Sequence, residues 1–130
     1  MTDNLTGLMW PLNANLFTTS GGTQSWNVAL SEIASMNTNP ATIGYNLCGY
    51  TDWRLPNINE LVSLVNYGQK NEATWLQTQG FNNVQAGGYY WSSSVLAIFG
   101  SGTYWVIDFH SGSTFYDTSS NYVWPVCGGQ

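Results

Sequence analysis

Charge is scarce in this chain, and positive charge most of all. Two basic and seven acidic residues are spread over 130 positions, so 7% of residues are charged. An average soluble protein carries roughly a quarter. With so few Lys and Arg, the chain cannot grip nucleic acid or an anionic membrane surface, and highly sulfated polysaccharides are disfavoured on the same ground. Cysteine is nearly absent too. Two cysteines and one histidine do not make a multi-bridge framework, and their spacing is not that of a zinc site. No apolar run approaches the roughly 20 residues of a membrane span. The opening Met1-Thr2-Asp3-Asn4 has neither the basic nor the apolar region of a signal peptide, so either an export signal lies outside this stretch or none is needed.

Aromatics are abundant, at 15% with seven Trp and eight Tyr. Disordered chains are charged and aromatic-poor, so disorder is excluded. The length suits one domain, residues 1–130, with a real core. Its surface must be built from Asn, Ser, Thr, Gln, Gly and Tyr, a palette suited to adaptable hydrogen bonding and stacking, as in antibody binding loops.

The densest local signal is Leu47-Cys48-Gly49-Tyr50-Thr51-Asp52-Trp53-Arg54-Leu55-Pro56-Asn57-Ile58-Asn59-Glu60-Leu61. Pro56 keeps Leu55 extended. Asn57 and Glu60 read as a helix N-cap and its capping-box partner. A strand is therefore expected to end at Leu55 and a helix to begin after Asn57. Arg54 is expected to pair internally with Asp52 or Glu60 and to pin this corner. A bridge between Cys48 and Cys127 would close most of the domain and add about 4 kcal/mol in the chain-entropy model. Spacing alone does not bring two Cα atoms within bonding range, so both redox states stay open.

The first half reads as helical. Ser25 caps a helix to about Asn37, with Trp26, Ala29, Leu30, Ile33 and Met36 at three- and four-residue steps. A second helix carries Ile58, Leu61, Val62 and Val65, and a short third element spans about Ala73 to Gln77. Leu8-Met9-Trp10 reads as a short strand stopped by Pro11. From Gly87 the period becomes two, predicting strands over Tyr89–Val95, Thr103–Phe109, Ser113–Thr118 and Asn121–Cys127. His110-Ser111-Gly112 forms a hairpin turn, and Gly87-Gly88 is the candidate hinge. Helices followed by antiparallel strands make an α+β domain.

Catalytic readings find little support. His110 beside Ser111 with Asp108 or Asp117 is not a triad, because a triad is defined by spatial geometry. Cys48 as a nucleophile would need a depressed pKa and a nearby base. No acid pair is placed across a cleft for glycoside hydrolysis. Gly100-Ser101-Gly102 lacks the phosphate-loop pattern and its lysine. Asp52, Asp108 and Asp117 are available to calcium, but no dense acidic loop occurs. No catalytic residue, metal or cofactor is expected.

The run Val95-Leu96-Ala97-Ile98-Phe99 admits two readings: a buried strand continuation, or a loop showing apolar side chains to a partner. In the following strand Tyr104, Val106 and Asp108 alternate with Trp105, Ile107 and Phe109, and for the first set the alternation favours surface display at least as much as core packing.

Asp3-Asn4-Leu5-Thr6-Gly7-Leu8-Met9-Trp10, Trp26-Asn27-Val28-Ala29-Leu30, the segment from Cys48 to Leu64, Tyr90-Trp91-Ser92-Ser93-Ser94, Trp105-Val106-Ile107-Asp108-Phe109 and Tyr122-Val123-Trp124-Pro125-Val126 follow one another as in a known family. Together they resemble the C-terminal domain family of the Legionella collagen-like adhesin (Lcl). The likeness spans nearly the whole chain and is most specific at Gly49-Tyr50-Thr51-Asp52-Trp53-Arg54-Leu55-Pro56-Asn57. It implies a C-type-lectin-like fold: two helices flanking a small twisted antiparallel sheet, with the N- and C-terminal strands meeting. The Arg-Leu-Pro-Asn-x-x-Glu run is also similar to the formylglycine-generating branch of that fold, whose catalytic cysteines have no evident counterparts here.

Two departures stand out. Relatives commonly end in Val-Arg-Cys/Pro-Val-Arg-Gly, whereas Trp124 and Cys127 occupy the arginine positions here, and Cys127 lies two residues beyond the family's late cysteine. Between Val95 and Asp117, relatives are often richer in Asn, Ser and Tyr. The family includes variable proteins of diversity-generating retroelements, which rewrite surface codons on such a scaffold. By that resemblance Val95, Leu96, Ile98, Phe99, Tyr104, Val106, His110, Phe115, Asp117 and Trp124 are the expected ligand-binding residues. Asp52, Arg54 and Glu60 are the expected structural set. The resulting expectation is a non-enzymatic recognition domain, extracellular, on a cell surface or on a virion. Its partner would be a protein or glycan receptor, with no nucleic acid and no membrane insertion. Homotrimeric presentation on a parent fibre or stalk would add avidity. The rivals are a glycan-binding adhesin domain and, from another class, a formylglycine-generating-type or hydrolytic enzyme.

Overall fold

The computed structural model describes residues 1–97 and 102–128. It is α+β, with a five-stranded sheet in the order β1-β5-β2-β3-β4. The strands are β1 (Thr23–Gln24), β2 (Tyr89–Val95), β3 (Tyr104–Asp108), β4 (Thr114–Asp117) and β5 (Asn121–Tyr122), and the helices are α1 (Trp26–Thr38), α2 (Ile58–Val62) and α3 (Glu72–Thr78). The expected antiparallel sheet is in fact mixed. β2–β3–β4 is an antiparallel meander, but β5 crosses to the far side of β2 and pairs with it in parallel through Tyr90 and Tyr122.

Local chemistry accounts for the helix ends. Ser25 Oγ accepts from Val28 N at 3.4 Å, and α1 stops before Pro40, which disfavours helical backbone at Asn39. Its buried residues are Ala29, Ile33 and Met36, one stripe at helical spacing. Leu30, expected on that stripe, is exposed. α2 is shorter than its apolar rhythm suggested. Leu64 N and Val65 N bond back to Leu61 O and Val62 O, so the chain tightens into three-residue turns there. Asn71 Oδ1 accepts from Thr74 N and starts α3.

The sheet separates two apolar cores, and period-two alternation sorts its residues between them. Tyr90, Ile107, Phe109 and Trp124 join Leu61 of α2 and Ala73 and Leu76 of α3 on one side. Trp91, Val106 and Val123 join Ala29, Ile33 and Met36 of α1 on the other, with Trp53 and Leu55. Both faces of the central strands are therefore covered.

The terminal segments meet as the resemblance implied. Met9 and Cys127 exchange backbone hydrogen bonds of 2.8 and 3.0 Å, and Arg54 and Val126 exchange bonds of 2.9 and 2.8 Å. The strand expected over Asn121–Cys127 is regular only at Asn121–Tyr122. Its remainder is held by these isolated bridges.

Candidate functional site

The signature corner is a closed network. Arg54 Nη1 and Nη2 donate to Glu60 Oε1 and Oε2, each at 2.7 Å, and Nη2 also donates to Gly128 O at 2.7 Å. Glu60 Oε1 accepts from Asn57 N at 2.8 Å while Asn57 Oδ1 accepts from Glu60 N at 2.8 Å, completing the capping box. Burial raises the Glu60 pKa, but its bonds from Arg54 and Asn57 outweigh this and hold the carboxyl below its usual range. Of the two partners expected for Arg54, Glu60 is the one it binds. Asp52 instead accepts from the Cys127 thiol at 3.0 Å. Burial and the Asp52 carboxylate push that thiol up to about 11. Cys48 and Cys127 are both free, the first exposed and the second buried. Cys48 sits in the left-handed region, with φ of 56°.

A more open surface lies on the outer strands, where Val95 ends β2 and Thr114, Phe115 and Tyr116 of β4 are exposed. Register places Val95, Tyr104 and Asp117 in one row across β2, β3 and β4, with Trp91, Val106 and Phe115 in the next row on the same face. α1 covers the inner part of that face. Its outer part is open: Val95 is 55% and Phe115 43% exposed. On the opposite face Tyr116, 54% exposed, meets Trp105 edge-to-face at 6.4 Å. A hollow of about 350 Å³ is lined by Thr103, Tyr116, Asp117 and Thr118. Asp117 is also a turn-former. It accepts from Thr118 N, Ser119 N, Ser119 Oγ and Asn121 Nδ2 at 2.7, 3.1, 2.6 and 2.8 Å. Burial opposes ionisation, and these bonds together overcome it and lower its pKa.

The residues expected to bind ligand therefore divide. Val95, Leu96, Phe115 and Asp117 belong to the outer sheet, with Leu96 half-buried. Ile98 and Phe99 lie outside the described residues. Tyr104 shares the row but is half-buried against Trp26, their centroids 3.7 Å apart. Val106 and Trp124 are corrections, since each is 0% exposed. Val106 faces α1 because β3 is covered on both sides. The Trp124 indole is enclosed by Trp10, Phe81, Tyr90 and Phe109, and its N–H is satisfied by Pro11 O. Asp108 is half-buried and serves the turn. Its carboxylate accepts from His110 N and Ser111 Oγ and builds the hairpin turn. His110 is exposed at the opposite end of β3 from the Val95 row, where its Nδ1 meets Asn71 Nδ2 at 3.2 Å. Tyr116, Trp105 and Tyr89 were missed as contributors to the open surface. Tyr116 was legible as an aromatic at an alternating position in β4.

The Ser-His-Asp combination does not assemble. Asp108 binds the backbone of His110 and the hydroxyl of Ser111, while the ring turns to Asn71. Among the described residues no three His, Cys, Asp or Glu side chains gather as a metal cage. No described helix is long and apolar enough to cross a membrane.

The sheet is covered on both faces at its centre and open at its edge strand β4. Residues 1–127 match the Lcl C-terminal domain family, and the chain belongs to that family. None of the curated proteins matches the sequence.

Proposed function

We propose that this chain is a non-enzymatic recognition domain of C-type-lectin-like fold, whose binding surface is the outer sheet around Val95, Phe115 and Asp117. The observation that carries the reading is the contrast between β4 and its neighbours. β2 and β3 are packed between two cores, whereas Thr114, Phe115 and Tyr116 are all exposed and Asp117 half-exposed. Side chains outside both cores can be exchanged without emptying either, as a surface diversified by a retroelement requires. Exposed aromatic and aliphatic side chains supply rigid contact, and adjacent hydroxyls and a carboxylate supply polar specificity. The domain would act extracellularly, at a fibre tip or on a cell surface. Its partner would be a protein receptor, and trimeric presentation would compensate for a small site.

Two experiments test this. A reverse transcriptase and a near-repeat of codons 90–127 in the neighbouring DNA would support diversification, and their absence would remove it. A receptor-binding screen with Phe115→Ser and Val95→Ser controls tests the face itself; ligands retained by both variants would reject it. A glycan partner is favoured by one feature, the hollow lined by Thr103, Tyr116, Asp117 and Thr118. It sets an aromatic ring beside a carboxylate and hydroxyls. A glycan array with a Tyr116→Ala control decides between the two partners.

A further inference from the structure

Helix α3 buries Ala73 and Leu76 and turns a second stripe outward. Asn71, Thr74, Trp75 and Thr78, at steps of three and four, line a hollow of about 430 Å³ together with Gln69 and Lys70. The Trp75 ring is half-buried and packs against the core cluster that holds Leu76 and Phe81, so it forms a rigid aromatic wall. Asn71 is fixed at both ends of its amide. Its Oδ1 accepts from Thr74 N at 3.1 Å, and its Nδ2 meets His110 Nδ1 at 3.2 Å. The hollow therefore lies near the β3–β4 turn, at the opposite end of β3 from the Val95 row.

The loop that carries Lys70 is held by a buried acid. Glu72 is 1% exposed, and its Oε2 accepts from Asn66 N at 2.8 Å. Asn66 in turn accepts from Gly68 N through Oδ1 at 3.1 Å and from Gln69 N through its carbonyl at 2.9 Å. A buried carboxylate is costly unless it is bonded, and here its bond ties the turn before Lys70 to α3. Lys70 is one of two basic residues in the chain. The other, Arg54, is paired with Glu60, and that is the ion pair found among the described residues. No acid lines the hollow, although the chain has seven. The hollow on the outer sheet is opposite in sign, with Asp117 in its wall.

We propose that this hollow is a second binding site, for a pyranose that carries a carboxylate. The Trp75 indole would take the C–H face of the sugar ring, since an aromatic side chain offers flat apolar area at little conformational cost. The Lys70 ammonium would pair with the carboxylate, and the Gln69 amide and Thr74 hydroxyl would bond to the ring hydroxyls. A neutral sugar would lose the Lys70 contact. A polyanion would find one cation here and not the cluster that it needs. The site does not rest on the outer-sheet reading, because neither Phe115 nor Tyr116 takes part in it.

Titration of the full chain, followed by the NMR signals of its indole N–H groups, tests this. The probes are the methyl glycosides of N-acetylneuraminic acid, glucuronic acid and glucose. The signal missing from Trp75→Phe is that of Trp75; should that variant fail to fold, through-bond experiments on the wild type assign it. This signal should shift saturably with either acid sugar at millimolar concentration, and the neutral glucoside should bind about three- to tenfold more weakly. Lys70 is exposed, so Lys70→Gln keeps the fold, and it should remove that difference. Tighter binding of one acid names the sugar class, and equal binding of both leaves the carboxylate as the recognised group. No Trp75 shift with either acid overturns the proposal, as does equal affinity for the glucoside. A preference for acid sugars retained in Lys70→Gln also overturns it. Tyr116→Ala should leave the response unchanged; its loss there would put the sugar on the outer sheet and overturn this site.

Discussion

The rings of Trp26 and Tyr104 lie 6° from parallel with centroids 3.7 Å apart, so the first residue of α1 is stacked on the first residue of β3. Trp26 Nε1 also donates to Ser92 O at 2.9 Å. Tyr104 therefore joins the helix to the sheet. Trp26→Ala should destabilise by about 2–4 kcal/mol, in line with large-to-small aromatic losses. Tyr104→Phe keeps the ring and should change stability by less than about 0.5 kcal/mol. Urea unfolding of the two variants checks this; equal losses would assign the effect to the hydroxyl.

Open and buried members of the expected ligand set should separate in the same assay. Val95→Ser and Phe115→Ser remove exposed side chains, and each should shift stability by no more than about 1 kcal/mol, allowing for the Tyr89 ring 5.4 Å from Phe115. Trp124→Ala empties a closed aromatic cluster and should cost about 3–5 kcal/mol. A mild Trp124→Ala variant would contradict its placement in the core.

The same contrast explains what could be read in the sequence. Ser25, Asn57 with Glu60, and Asn71 carry their own helix starts, so α1 and the signature corner were legible from side chains a few residues apart. The strands were legible from alternation. Which face of β3 is wet was not. Alternation says that Val106 and Ile107 point opposite ways, but only the packing of α1 on one side and of α2 and α3 on the other shows that both are buried. Trp124 misled for a related reason, since its burial depends on Trp10 and Phe81, both distant in sequence. The parallel pairing of β5 with β2 has no local signature either. It follows from where the last strand finds an open edge.

Acid titration should divide the carboxylates by sign. Glu60 and Asp117 have lowered pKa values in the folded chain. They contribute stability above the unfolded carboxylate range, and it is lost as pH falls through their lowered folded values. Glu32 is raised by burial and works oppositely: its contribution is present at low pH and is lost as pH rises through its folded value. Glu60→Gln should therefore flatten the acid limb of a stability–pH profile, and Glu32→Gln should improve stability at neutral pH. Unfolding free energies between about pH 2.5 and 7 measure both. An unchanged acid limb in Glu60→Gln would count against the Arg54 network as a source of acid sensitivity.

The two thiols should differ in reactivity. Cys48 is exposed and should be alkylated by iodoacetamide in the folded protein. Cys127 is 3% exposed and bonded to Asp52, with a pKa pushed up to about 11. At pH 8 only about one in a thousand of its thiols would be ionised, and the thiolate is the nucleophile. Mass analysis should find one adduct on the native chain and two after denaturation, with reductant making no difference to the unlabelled mass. A disulfide would give no adduct without reductant. Forming it would take the Cys127 sulfur from its hydrogen bond to Asp52 and leave that carboxylate without the donor it now has. Asp52→Asn should speed labelling of Cys127, because it removes the charge that opposes thiolate formation.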